Sequence, residues 1–101
     1  KEGLMPITTD YVAIKKAALI LRAINHKLRQ QIIELVHEEG KITVTELYVK
    51  LRLEQSVASQ HLAILRRAGI VSTTRDGKFI WYSVNYPKLT AIEKFTKDLL
   101  S

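Results

Sequence analysis

The 101-residue chain contains no cysteine. That excludes a disulfide framework, thiolate metal sites and thiol redox sensing, and it fits a cytoplasmic protein. No apolar run reaches the roughly 18 residues of a membrane span, so no membrane partner is expected. No signal-peptide pattern is visible, and the chain opens at Lys1 rather than at Met, which leaves its native start open. Acidic residues are outnumbered: ten Asp and Glu stand against sixteen Lys and Arg, giving a net charge of +6. A basic balance favours an anionic partner such as nucleic acid, a membrane surface or an acidic protein. No linker, internal repeat or second domain interrupts the chain, and its apolar content of 47% is enough for one core.

Residues 1–9, with one Gly, one Pro and no period, read as a loose terminus. Thr8, Thr9 and Asp10 are N-cap candidates for the next segment, and Tyr11 to Ile24 is apolar on more than one helix face. A helix of that kind is buried on several sides, and in a small domain one side falls to a partner subunit. Leu28, Ile32, Leu35 and Val36 mark a second helix, closed by Gly40. Ile42 is a short extended link. Thr43 and Glu46 form a capping-box pattern that starts a third helix.

The fourth helix raises a question. "QSVASQHL", Gln55 to Leu62, carries Ser and Gln where an ordinary solvated face would use Glu and Lys. On a helical wheel Val57, Ala58, His61, Leu62 and Leu65 share one side. Ser56, Ser59, Gln60, Ala63 and Arg67 fall opposite, and Ala68-Gly69 closes the helix. Short hydroxyls, amides and a small Ala, followed by Arg66 and Arg67, suit a helix that enters the major groove and reads base edges. Spare N–H groups at its start suit phosphate.

After Gly69 the period becomes two. Ile70 to Thr74 and Phe79 to Val84 read as strands around Arg75-Asp76-Gly77-Lys78. A two-residue turn at Asp76-Gly77 is expected, placing Arg75 opposite Lys78. Such a like-charged pair is relieved by a phosphate beside it. Alternation of Phe79 and Trp81 with Ile80 and Tyr82 reads as sheet packing, not as an RNA stacking platform. Pro87 suits the first turn of a last helix with Leu89, Ile92, Phe95 and Leu99 at helical spacing. The expected fold is mainly α with a β-hairpin wing: a winged helix-turn-helix in the order α-α-α-α-β-β-α. It forms a single DNA-binding domain, 1–101, with dimerisation helices at both ends (about 10–24 and 87–100). The candidate DNA-binding residues are Gln55, Ser56, Ser59, Gln60, His61, Arg66, Arg67, Arg75 and Lys78. The candidate dimer contacts are Val12, Leu19, Leu89, Ile92, Phe95 and Leu99.

The stretch Val44 to Val84 resembles the ArsR/SmtB family of small winged-helix repressors. The resemblance rests on Glu46-Leu47, Ser59-Gln60-His61-Leu62-Ala63-Ile64-Leu65, Ala68-Gly69-Ile70-Val71, the basic wing with Gly77, and Tyr82; upstream, Arg29 stands at the family's usual Arg. It implies a homodimer, joined through the first and last helices, that binds an imperfect inverted repeat in double-stranded DNA and represses transcription. The chain departs from the family at Asn25-His26-Lys27, where Asp-Pro is common, at Arg52, where Gly is usual, and at Glu54, where a Ser cap is usual. Glu is a poor N-cap, which leaves capping to Gln55 or Ser56.

Many members of that family release DNA on binding metal. Here the third helix has no Cys and the last helix has Glu93 and Asp98 but no His. A carboxylate pair alone is a weak site for zinc-like ions, and Glu93 with Lys97 is more simply an i,i+4 ion pair. His26 and His37 lie about 16 Å apart along a helix, too far for one ion. His37 reads as solvated, whereas His61 either packs within the motif or contacts phosphate. No metal and no cofactor are expected. No nucleophile has an evident base, and no phosphate-binding Gly loop is present, so the chain does not read as an enzyme. The alternative is a winged-helix protein-interaction module without specific DNA binding, which would use the apolar terminal helices equally well.

Overall fold

The computed structural model describes residues 7–101; of the terminal stretch read above, residues 1–6 lie outside it. The elements are α1 (Tyr11–Ile24), α2 (Lys27–Glu39), α3 (Val44–Leu51), α4 (Gln55–Arg67), β1 (Val71–Asp76), β2 (Phe79–Val84) and α5 (Tyr86–Leu100). This is the order α-α-α-α-β-β-α of a winged helix-turn-helix.

Local chemistry fixes most of the boundaries. The Asp10 carboxylate accepts from the Ala13 N–H and starts α1. His26 does the same for α2, its Nδ1 accepting from the Arg29 N–H. Gly40, at φ +78°, closes α2. Thr43 and Glu46 complete a reciprocal capping box at α3. Arg52 ends α3 in the left-handed region, φ 55°, ψ 47°. A side chain there is strained by about 1 kcal/mol or more relative to Gly, and the turn into α4 is held by the Leu53 N–H on the Tyr48 carbonyl.

The core gathers Ile32 and Val36 of α2, Leu47 of α3, Ala58, Leu62 and Leu65 of α4, and Ile42, Ile70, Val71 and Val84 of the connecting and wing segments. Burying a Leu or Ile side chain is worth about 1.5–3 kcal/mol, and this shared core holds α3 and α4 at a fixed angle to the wing. Ile42 exchanges both backbone hydrogen bonds with Tyr82, so the link after α2 is stitched onto β2. Asn85 ties the base of the wing to the end of α4: its side chain donates to the Gly69 carbonyl, its N–H donates to Ile70, and its Oδ1 caps α5.

The hairpin corrects the expected turn. Asp76 pairs with Phe79 and Arg75 with Ile80, so the turn is Gly77-Lys78, not Asp76-Gly77. Gly77 takes φ +62° as the first central residue, the position at which a type II′ turn requires glycine. Sliding the turn by one residue lets Asp76 stay in extended backbone. Arg75 therefore does not face Lys78; it donates from Nε to the Gly77 carbonyl.

The ends of the chain are far less buried than the middle. Only Ala23 of α1 is buried, and α5 has no buried residue. The molecule measures 63 × 26 × 24 Å with a radius of gyration of 17.2 Å, against about 13 Å for a compact chain of this length. Leu89 and Ile92 pack α5 onto the core, and beyond them the helix leaves it with Phe95, Leu99 and Leu100 exposed.

Candidate nucleic-acid interface

The face of α4 that is turned away from the core carries Gln55, Ser56, Ser59, Gln60 and Ala63, all exposed. The inward face carries Ala58, Leu62 and Leu65, all fully buried, so the helix is locked in rotation. Glu54 is the N-cap residue but makes no side-chain hydrogen bond, and Gln55 and Ser56 belong to the first helical turn instead of capping it. The leading N–H groups of α4 thus have no side-chain acceptor. They point to solvent at the positive end of the helix dipole, an arrangement suited to an anion.

The remaining candidates separate into three places. Arg66 and Arg67 occupy the last turn of α4, and Arg67 lines a cavity shared with Lys88 of α5. Arg75 and Lys78 lie at the exposed wing tip. His61 is half-buried, with its Nδ1 3.3 Å from Arg29 Nη1 and its ring 4.9 Å from the His26 ring. Its contacts are therefore within the motif.

Two features escaped sequence reasoning. Arg29 is only 9% exposed. Its Nε donates to the Ala23 carbonyl at 2.6 Å and its Nη2 to the Arg22 carbonyl at 3.3 Å, while Nη1 reaches His61. One guanidinium thus joins the end of α1, the start of α2 and the middle of α4. The signal was present: Arg29 shares a helical face with Ile32, Ile33 and Val36. The second feature is the outer face of the wing. Phe79 and Trp81 share the sheet face away from the core, their ring centroids 6.2 Å apart, in alternation with Ile80 and Tyr82. Lys78 sits over the Phe79 ring and Lys41 over the Trp81 ring, 5.5 and 4.7 Å from the centroids. Each ring thus has an ammonium group near one of its faces. Only Tyr82, on the inner side, packs against the core. His37, expected to be solvated, is exposed but bonded from Nδ1 to the Tyr86 hydroxyl at 2.6 Å.

Burial pushes the His61 pKa below the ordinary 6.5, and the nearby His26 and Arg29 charges add to the shift. The folded state therefore prefers neutral His61, whereas the unfolded chain takes up a proton as pH falls through about 6.5. This contribution is complete above that pH and is eroded below it. Thermal melts at pH 7.5 and 5.5 are expected to differ by less in His61→Gln than in the parent; an unchanged difference would assign the pH dependence to other groups.

No group of three or more His, Asp or Glu that could hold a metal gathers among the described residues. Lys97 and Glu93 pair at 2.9 Å, and Lys94 and Asp98 pair at 2.9 Å, which commits both α5 carboxylates. Stoichiometric zinc is expected to leave DNA affinity unchanged; a loss beyond about tenfold in a titration would show a site that this ligand set does not provide. Among the described residues no helix is long and apolar enough to cross a membrane.

A family model described as bacterial regulatory protein, arsR family, matches residues 26–73. The transcriptional repressor PagR of Bacillus anthracis is 32% identical over 90 residues, covering 89% of this chain and 90% of PagR. Its crystal structure superposes with a TM-score of 0.68 and covers 89% of this chain and 99% of that one. The transcriptional activator HlyU of Vibrio cholerae is 35% identical over 77 residues, covering 76% of this chain and 70% of HlyU. The fold is also that of a homodimeric winged helix-turn-helix DNA-binding domain from Mycobacterium bovis. There the TM-score is 0.73 at 22% identity, over 93% of this chain and 91% of that one.

Proposed function

The chain belongs to the arsR family of bacterial regulatory proteins, and from that premise we propose that it binds double-stranded DNA sequence-specifically, as a homodimer, at an imperfect inverted repeat. It is a transcriptional regulator of the winged helix-turn-helix type and not an enzyme. Relatives of both signs exist, a repressor and an activator. Repression is favoured here because the match to PagR runs nearly the full length of both chains. The whole chain acts as one domain with α1 and α5 as dimerisation helices, working in the cytoplasm.

The observation that carries the reading is the outward face of α4: an uncapped N-terminus followed by Gln55, Ser56, Ser59 and Gln60 with no charged side chain among them. Small polar groups let the backbone approach the floor of the major groove, where Gln reads adenine and Ser reads several bases. The wing tip offers Arg75 and Lys78 to a phosphate or to the minor groove. A protein-interaction module would have no use for such a face and would show little affinity for random duplex to titrate with salt.

The test separates reading from holding. A preferred site is first obtained by selection from a random duplex pool. Gln60→Ala is then expected to lose on the order of 1–3 kcal/mol on that site and much less on random DNA, because a base contact carries sequence information. Lys78→Ala is expected to weaken both by a similar factor and to reduce the salt slope by about one unit per wing. A wing variant that changes sequence preference, beside a helix variant that does not, would invert these roles.

A further inference from the structure

Behind the reading face, a half-open cavity of about 630 Å³ lies between α1, the last turn of α4 and the first turn of α5. Its size falls within the range of small-molecule sites. Leu19, Ile20 and Ala23 of α1 and Ile64 of α4 give it apolar walls. Five basic residues also line it: Lys16, Arg22, Arg29, Arg67 and Lys88. None of its lining residues is acidic, and none of the five enters an ion pair among the described residues. Arg29 is a charge nine-tenths buried whose bonded partners are two carbonyls and an imidazole, with no carboxylate. Lys88 is held in place from two sides. Its N–H is bonded to Asn85 Oδ1, and its stem crosses bare Gly69, where a Cβ would meet Cε at 2.9 Å.

A half-open pocket that concentrates charge of one sign favours an occupant of the other sign. We infer that this cavity binds a small amphiphilic anion: a carboxylate head among Lys16, Arg67 and Lys88, with an apolar body against Ile20, Ala23 and Ile64. A second copy of the chain supplies the wrong charge. α1 contains Lys15, Lys16 and Arg22 and no acid, and the two carboxylates of α5 are already paired with Lys94 and Lys97. Phosphates of DNA would use the cations but leave the apolar walls empty. The site stands independently of the DNA reading, and its contact with both α1 and α4 would let an occupant bias one against the other.

The test is calorimetric titration of the purified chain with decanoate, with decanol lacking the charge and butyrate lacking the body. Saturable binding of one decanoate per chain is expected, with both controls at least about tenfold weaker. The pair Lys16→Gln and Lys88→Gln together should weaken decanoate by about tenfold or more, while the charge-matched pair Lys15→Gln and Lys27→Gln, outside the cavity, should not. Equal loss in both pairs would mean unspecific attraction to a basic protein and would overturn the assignment. So would decanoate binding that appears only as the oligomer dissociates in sedimentation, since the cavity would then belong to a second copy. Unchanged decanoate binding in the Lys16 and Lys88 pair, with weakened duplex binding, would hand these cations to DNA and overturn it equally.

Discussion

Arg29→Ala is expected to cost about 3 kcal/mol of stability, because three hydrogen bonds of a buried cation vanish and two carbonyls at the end of α1 are left without a donor. For a chain of this size that lowers the melting temperature by on the order of 15 °C at fixed protein concentration. The effect does not stay local. Arg29 is the only residue whose side chain bonds α1 and α4 together among the described hydrogen bonds, so α4 loses its tether to α1. DNA affinity is expected to fall even where the variant is still folded. Arg29→Lys distinguishes geometry from charge. A single ammonium on a flexible stem cannot reproduce a planar fork that reaches Ala23, Arg22 and His61 at once, so Lys should recover little of the loss. Near-complete recovery by Lys, measured by thermal melts of both variants, would show that the positive charge matters and the fork does not.

The legibility of this fold in its sequence follows the reach of each signal. Short-range chemistry was readable. Thr43 and Glu46 announced their capping box, Gly40 its helix end, and the shift to period two after Gly69 the wing. The inward and outward faces of α4 followed from spacing alone, since Leu62 and Leu65 must share a side. The turn register was not readable, because Asp-Gly and Gly-Lys both satisfy a two-residue loop. Pairing of Asp76 with Phe79 is a property of the whole ladder. The start of α4 at Gln55 was readable, but the side-chain cap expected from Gln55 or Ser56 is absent, because a helix can begin without one when its packed core holds it. The partners of Arg29 and the cavity were not readable because they depend on residues from several elements far apart in sequence. A cation on an apolar face hints at burial, but only tertiary structure shows whether its partner is a carboxylate, a carbonyl or a ligand.

The dimer is where the largest change in association is expected. Val12, Leu19 and Leu99 are 64%, 53% and 65% exposed, and Phe95 is 44% exposed, so the apolar faces of α1 and α5 are uncovered within one chain. Leu89 and Ile92 differ: they are half-buried against their own core and anchor the first half of α5 to it. In the proposed homodimer this apolar surface would be covered by a two-fold partner presenting the same residues. Phe95→Ala with Leu99→Ala should then remove two central contacts at about 2 kcal/mol each, together raising the dimer dissociation constant by on the order of a thousandfold. DNA binding should weaken with it, because half-sites one helical turn apart are read jointly only by a dimer. Sedimentation at micromolar concentration is expected to show a dimer for the parent and a monomer for the double variant. The monomer should keep its helical content, since neither side chain contributes to the core of its own chain. A parent already monomeric at that concentration would remove the dimer from the proposed mechanism. A double variant that unfolds instead would show that α5 stabilises its own chain more than its exposure indicates.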